Sequence, residues 1–185
     1  MALVFEYRLT GVESLTRMQC INAVKRAMRL MAEYWHEAFL WKRFTPLGYT
    51  EYNFHRRSTK YDKAKEKFRH HTNPLVNTGE GRDEAMSPST VARIRVTRDK
   101  VTIPMPRKFN RSNPKGPKMS DEVRAVSRGE VKILEENLVF NIDHELAAEA
   151  QPTEGTVGPR VANLKISGLR GGQRIVNPVV RRTAA

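Results

Sequence analysis

Residues 41–83 read WKRFTPLGYTEYNFHRRSTKYDKAKEKFRHHTNPLVNTGEGRD, and the rest of the chain is organised around them. Rings and cations interleave here: Trp41, Phe44, Tyr49, Tyr52, Phe54, Tyr61 and Phe68 are spaced among lysines and arginines. Residues 42–71 hold nine Lys/Arg against three Asp/Glu, a local net charge of +6. Two physical readings fit that composition. In one, the rings stack on bases while the cations neutralise the phosphates of a nucleic acid. In the other, the rings tuck against a helix and the long basic stems lie over them with their charged heads in water. Composition taken alone favours the second, because most basic runs are solvated faces.

Ahead of this stretch, Leu3, Phe5, Tyr7 and Leu9 alternate with Val4, Glu6, Arg8 and Thr10, the period of a half-buried strand closed by Thr10-Gly11. A long helix is predicted from about Val12, since Ile21, Val24, Met28, Met31, Trp35 and Ala38 recur at three- and four-residue spacing. Cys20 falls beside this stripe as a buried structural thiol, and Met18, Met28 and Met31 read as core filler. Pro46 and Gly48 break the helix. Residues 49–71 form either a short helix, with Tyr61, Ala64, Lys65 and Phe68 at helical spacing, or an ordered loop. Adjacent His70 and His71 point apart in either regular conformation and have no Cys or carboxylate at ligand spacing, so a metal site is not expected.

After Thr78-Gly79, residues 80–86 make a helical turn. Ala92, Ile94 and Val96, then Val101, Ile103 and Met105, alternate with polar residues around Arg98-Asp99-Lys100, which predicts a β-hairpin with a basic outer face. Pro104 and Pro106 end its second strand or place it at an edge. Residues 106–118 lack periodicity and read as a loop, and residues 93–118 carry nine bases and one acid. Composition then changes sign. Residues 119–150 hold eight acids and three bases, Ser127 and Glu130 have capping-box spacing, and Val131, Leu134, Leu138, Ile142 and Leu146 supply a buried stripe. Asp143 and Glu145 lie two apart, which does not face them together on a helix as a catalytic pair. From Gln151 the chain reads as a basic arm, although Val161 to Ile166 alternates like a strand that could order on another subunit's sheet edge.

The 185 residues suit one domain with an extension: an α+β domain over 1–150 and a basic C-terminal extension over 151–185. A net charge of +13 repels like copies and attracts polyanions or acidic protein surfaces. One cysteine excludes an internal disulfide and fits a reducing compartment. The N-terminus does not read as a signal peptide, and no run of about 18 apolar residues suits a bilayer, so a cytoplasmic product and no membrane partner are expected. No nucleotide-binding loop, zinc ligand set, Ser/His/Asp order or acid cluster for Mg²⁺ is present, so neither enzyme nor cofactor is expected.

The order Trp41-x-x-Phe44-x-Pro46-Leu47, a Tyr- and Lys/Arg-rich middle, and Pro74-Leu75-Val76-Asn77-Thr78-Gly79-x-x-Arg82 resembles the neck and tail-completion proteins of long-tailed bacteriophages, including the virion-morphogenesis family of Mu-like phages. That family usually has Leu before the Arg; here Gly81 stands there, which predicts a looser turn. The resemblance implies a small antiparallel sheet packed by the long N-terminal helix and the C-terminal helix, with extended loops and a C-terminal arm. It also implies a virion protein, made in the host bacterial cytoplasm and closing into a ring at the head-tail junction. Its partners would be head-closure or connector rings, tail-terminator or tail-tube rings, and genomic DNA in the channel. A tail terminator is the alternative within that reading, and a basic nucleic-acid-binding module the alternative outside it. Candidate contacts to a neighbour or DNA are Arg56, Arg57, Lys60, Lys63, Arg107, Lys108, Arg111, Lys115 and Lys118. Their acidic counterpart, within one subunit or between neighbours, is Glu130, Glu135, Glu136, Asp143 and Glu145.

Overall fold

Alternation over the first ten residues builds β1 (Ala2–Thr10), with Leu3 and Phe5 buried and Glu6 turned outward. The computed structural model describes residues 2–110, 118–150, 159–167 and 175–176. After a turn at Gly11, Thr16 starts α1 (Arg17–Ala38) through a capping box with Gln19. The helix therefore begins five residues after Val12, where the reciprocal Thr16–Gln19 pair satisfies its free N–H groups. Val24, Met28, Met31 and Trp35 of the expected stripe are buried, joined by Ala23, Ala27, Ala32 and His36. Met18 is not core filler: it is the second residue of the helix and is 61% exposed.

Helix α1 stops before Pro46 is reached. A 3-10 turn over Leu40–Phe44 follows, then α2 (Leu47–Glu51) with Pro46 at its N-cap. Gly48, expected to break a helix, lies inside this one because of packing: a β-carbon there would sit 2.8 Å from the Phe54 ring and 2.9 Å from Pro74. Ser58 caps α3 (Thr59–Arg69), so the helical alternative for 49–71 holds over its second half, and His70 ends the helix in the left-handed conformation. Leu75 and Val76 are buried. Gly79, at φ 90°, then supplies the N-cap of α4 (Glu80–Met86), a conformation that favours glycine. Gly81 makes no looser turn; it is helical, and the Phe109 ring lies 3.3 Å from where its β-carbon would be.

The hairpin is shorter than predicted. Pro88 opens α5 (Pro88–Ala92), which takes Ala92 into a helix and leaves β2 (Arg95–Val96) paired with β3 (Lys100–Thr102). Within 106–118, a 3-10 turn over Arg107–Asn110 buries Phe109, whose ring stacks on Phe44 with centroids 5.8 Å apart. Then come α6 (Met119–Val123), β4 (Val126–Ser127) and α7 (Arg128–Glu149), the last opened by the Ser127–Glu130 capping box that the spacing foretold. Leu134, Leu138, Ile142 and Leu146 are buried as expected, and Val131 partly so. Helices α1 and α7 run antiparallel, since Arg26 pairs with Glu145 and Glu149 while Arg43, past the end of α1, meets Glu130.

Strand β5 (Arg160–Ser167) pairs antiparallel with β1 from Val4 opposite Ser167 to Thr10 opposite Arg160, with a bulge between Arg8 and Leu9. The strand expected to order on another subunit thus completes this chain's own sheet, in the order β2-β3-β1-β5. The reason is proximity: Asp143 on α7 accepts the backbone N–H of Val161 at 2.7 Å, which brings the strand back beside β1. A short strand β6 (Ile175–Val176) pairs in parallel with β4. The architecture is α+β, a four-stranded antiparallel sheet with a long N-terminal helix and a long C-terminal helix.

Candidate functional site

The 41–83 stretch divides into a buried half and an exposed half. Phe44, Tyr52 and Phe54 enter the core, and so does Arg43, which is fully buried. Its guanidinium lies between Trp35 and Tyr52, 4.6 and 4.2 Å from the two ring centroids. It donates to the Phe39 carbonyl at 2.7 Å, to the Ala125 carbonyl, and to both Glu130 oxygens at 3.2 and 2.9 Å. The Tyr52 hydroxyl donates to Glu130 as well, and burial is the main cause of a strongly raised Tyr52 pKa. Glu130 also receives the Ser127 N–H at 3.1 Å, so one carboxylate caps α7 and neutralises the core cation. This is a structural keystone that ties the end of α1, α2 and the start of α7 together.

A second buried carboxylate fixes the way out of the core. Glu122 on α6 accepts the His55 N–H at 3.0 Å and the Arg57 guanidinium at 2.6 Å. Burial raises its pKa, and the adjacent Arg57 works against that rise. The Arg56 guanidinium lies over the Tyr49 ring at 5.3 Å, so here the charged head and not the stem meets the ring.

Beyond this clamp stands α3. Lys65 is its one buried residue, donating to the Asn73 carbonyl, and burial pulls its pKa down. Helix α3 packs closely against no other helix or strand among the described residues. Tyr61 and Phe68 fall on one helical face and are 45% and 71% exposed. Residues 56–69 carry seven bases and two acids. Lys60 and Lys63 are exposed on this helix, and Arg56 and Arg57 lead into it. Arg107 and Lys108 belong to a different patch, where Lys108 pairs with Glu80 and holds that carboxyl below its usual range. Lys118 is exposed at the N-cap of α6. Arg111 and Lys115 lie outside the described residues.

The acids are not one surface. Glu130 is consumed in the core, which removes it as a contact for a neighbour: a fully desolvated cation needs a fixed counter-charge. Glu145 pairs with Arg26, whose pKa rises through its hydrogen bonds to Glu145 and Glu149. Glu135, Glu136 and Asp143 instead rim a groove between α7 and β5, floored by Val139, Phe140, Val161 and Leu164. Sequence reasoning grouped these residues by sign and missed both the Arg43 keystone and the Glu122 clamp. Arg43 did carry a faint signal, lying between Leu40 and Phe44 in a short apolar frame.

Among the described residues, no group of three or more His, Cys, Asp or Glu could hold a metal ion, and no helix is long and apolar enough to cross a membrane. Cys20 is free and half-buried, and burial raises its thiol pKa. The sequence matches no protein-family model, no curated protein and no solved structure.

Proposed function

We propose that this protein is a ring-forming structural component of a long-tailed bacteriophage virion, in the neck or tail-completion layer between the head connector and the tail, with a central channel for the genome. The observation that carries the reading is α3: a basic helix displaying two exposed rings, joined to the core through the Leu75-Val76 segment and packed closely against no other helix or strand among the described residues. Rings left this exposed on a helix are best explained by a neighbour that covers them. The resemblance of residues 41–83 to neck and tail-completion proteins names the kind of assembly. The α+β core, with a long helix at each end of the chain, is the scaffold that resemblance calls for. The work is geometric, matching one ring to the next, with no bond-making chemistry.

Subunits of net charge +13 repel one another, so a closed ring needs basic-to-acidic contacts between copies or phosphate in its lumen. Electron microscopy of the purified full-length protein tests the reading, with sedimentation run in parallel. Annular particles of discrete mass are expected, with weak DNA retention. A monomer at every concentration, with DNA affinity falling steeply as salt rises, would instead establish the nucleic-acid-binding alternative.

A further inference from the structure

Phe68 on α3 and Phe140 on α7 are the two most exposed large apolar side chains among the described residues, at 71% and 69%. Their surroundings have opposite sign. Phe68 shares a helical face with Tyr61 and Ala64, at i, i+3, i+7 spacing, flanked by Lys60, Lys67 and Arg69; Lys65 on the Tyr61 side is turned in to the Asn73 carbonyl, so the open part of the face centres on Ala64 and Phe68. Phe140 stands in the α7–β5 groove beside Leu164, rimmed by Glu135, Glu136 and Asp143, with Lys132 one turn outside. The lengths agree as well. At about 1.5 Å per residue, Tyr61 to Phe68 spans about 10 Å and Glu135 to Asp143 about 12 Å. Within one chain α3 and α7 do not pack closely together.

We infer that α3 of one copy docks in the α7–β5 groove of the next, with Phe68 against Phe140 and Leu164 and the flanking lysines on the acidic rim. This rests on the ring reading above and specifies its contact. The two patches differ, so the contact is heterologous and repeats from copy to copy until the rotation closes. It also gives Glu136, the exposed acid of the rim, a task distinct from that of Glu130. Apolar anchoring holds the helix, and the charges select its direction and register.

The test uses full-length protein in a Cys20→Ser background. Ala64→Cys, beside Phe68, combined with Ala162→Cys in the groove lining leaves both rings in place and, oxidised during assembly, is expected to give a ladder of dimers, trimers and higher species on non-reducing gels. Either cysteine alone should give no ladder. Annular particles that form without this ladder would overturn the contact and leave the ring intact. Wild-type protein with no oligomer at any concentration would remove the ring reading and the contact together.

Charge reversal gives an independent readout. Lys60→Glu with Lys67→Glu in one protein, and Glu136→Lys in another, should each shift the association midpoint about tenfold or more in concentration. An equimolar mixture of the two should assemble again, because acidic α3 then meets a basic groove and basic α3 an acidic one. Reassembly on mixing cannot come from misfolding. If the Lys60→Glu/Lys67→Glu protein keeps its oligomer and loses only DNA retention, α3 is a nucleic-acid contact and the inference is wrong.

Discussion

Arg43 and the lysines of α3 come from one basic, ring-rich stretch, yet they meet opposite surroundings. Arg43 is sealed between Trp35 and Tyr52 with a bidentate carboxylate, whereas the cations of α3 other than Lys65 stand in water beside two exposed rings. Both sites bring cations and rings together. What separates them is whether the chain itself supplies the counter-charge. At Arg43 it does, through Glu130 eighty-seven residues later, and the cluster becomes part of the fold. At α3 the flanking acids, Asp62 and Glu66, leave a net positive surface, and the cluster is left for something outside the chain.

The sharpest way to break this comparison is to remove each cation. Arg43→Ala leaves Glu130 buried without its main partner and opens a gap between Trp35 and Tyr52. A loss of about 3–5 kcal/mol is expected, because an uncompensated buried charge remains. For a chain of this size that lowers the melting temperature by roughly 10 °C. Replacing Arg43 and Glu130 together by methionine should cost less than either change alone, and thermal melts of the three variants check it. If the double variant is as damaged as the sum of the singles, the pair is not acting as a unit.

Next in size is Gly48, which lets α2 lie against Phe54 and Pro74 at the point where the buried half of the stretch turns toward the exposed half. Gly48→Ala is expected to destabilise by about 1–3 kcal/mol, since three contacts under 3 Å involve ring and proline carbons with little freedom to move. Denaturant midpoints measure it. At α3, by contrast, Lys60→Glu with Lys67→Glu should leave the same midpoints within about 0.5 kcal/mol, because neither lysine is buried or bonded in the fold. A large stability loss there would mean that α3 belongs to the core after all.

Local pattern made much of this legible. The alternation of Leu3 and Phe5, the apolar stripes of α1 and α7, and the Ser127–Glu130 spacing each depend on neighbours within a turn or two, and each was readable from sequence. What was not legible depends on long-range pairing. Nothing near Arg43 announces Glu130, and charge counting grouped that acid with Glu135 and Glu136 as one acidic counterpart to the basic regions. The strand at 160–167 alternates as a strand should, but alternation carries no address, so its pairing with β1 was invisible. Lys65 was misplaced for the opposite reason: helical spacing put it with Tyr61 and Phe68 in one stripe, yet the rings are exposed and the lysine is buried.

Lys65 is also where the two kinds of site meet, a cation of the exposed helix held inside by a carbonyl in place of a carboxylate. Burial lowers its folded pKa from the ordinary 10.5, with Asp62 opposing and Arg57 reinforcing the fall. Between that lowered value and 10.5 the unfolded chain binds more protons than the folded one, so this group makes stability rise with pH across the window. Below the window the full cost of holding the charged ammonium is present; above it the cost is gone. Lys65→Met should therefore flatten the alkaline side of the stability curve relative to wild type, and paired denaturant titrations at several alkaline pH values measure the difference. The effect is smaller than those of Arg43 and Gly48, because the site is near the surface and water relieves part of the penalty. Its direction still discriminates: a carboxylate partner like that of Arg43 would raise the folded pKa and reverse the slope, whereas a lone carbonyl cannot.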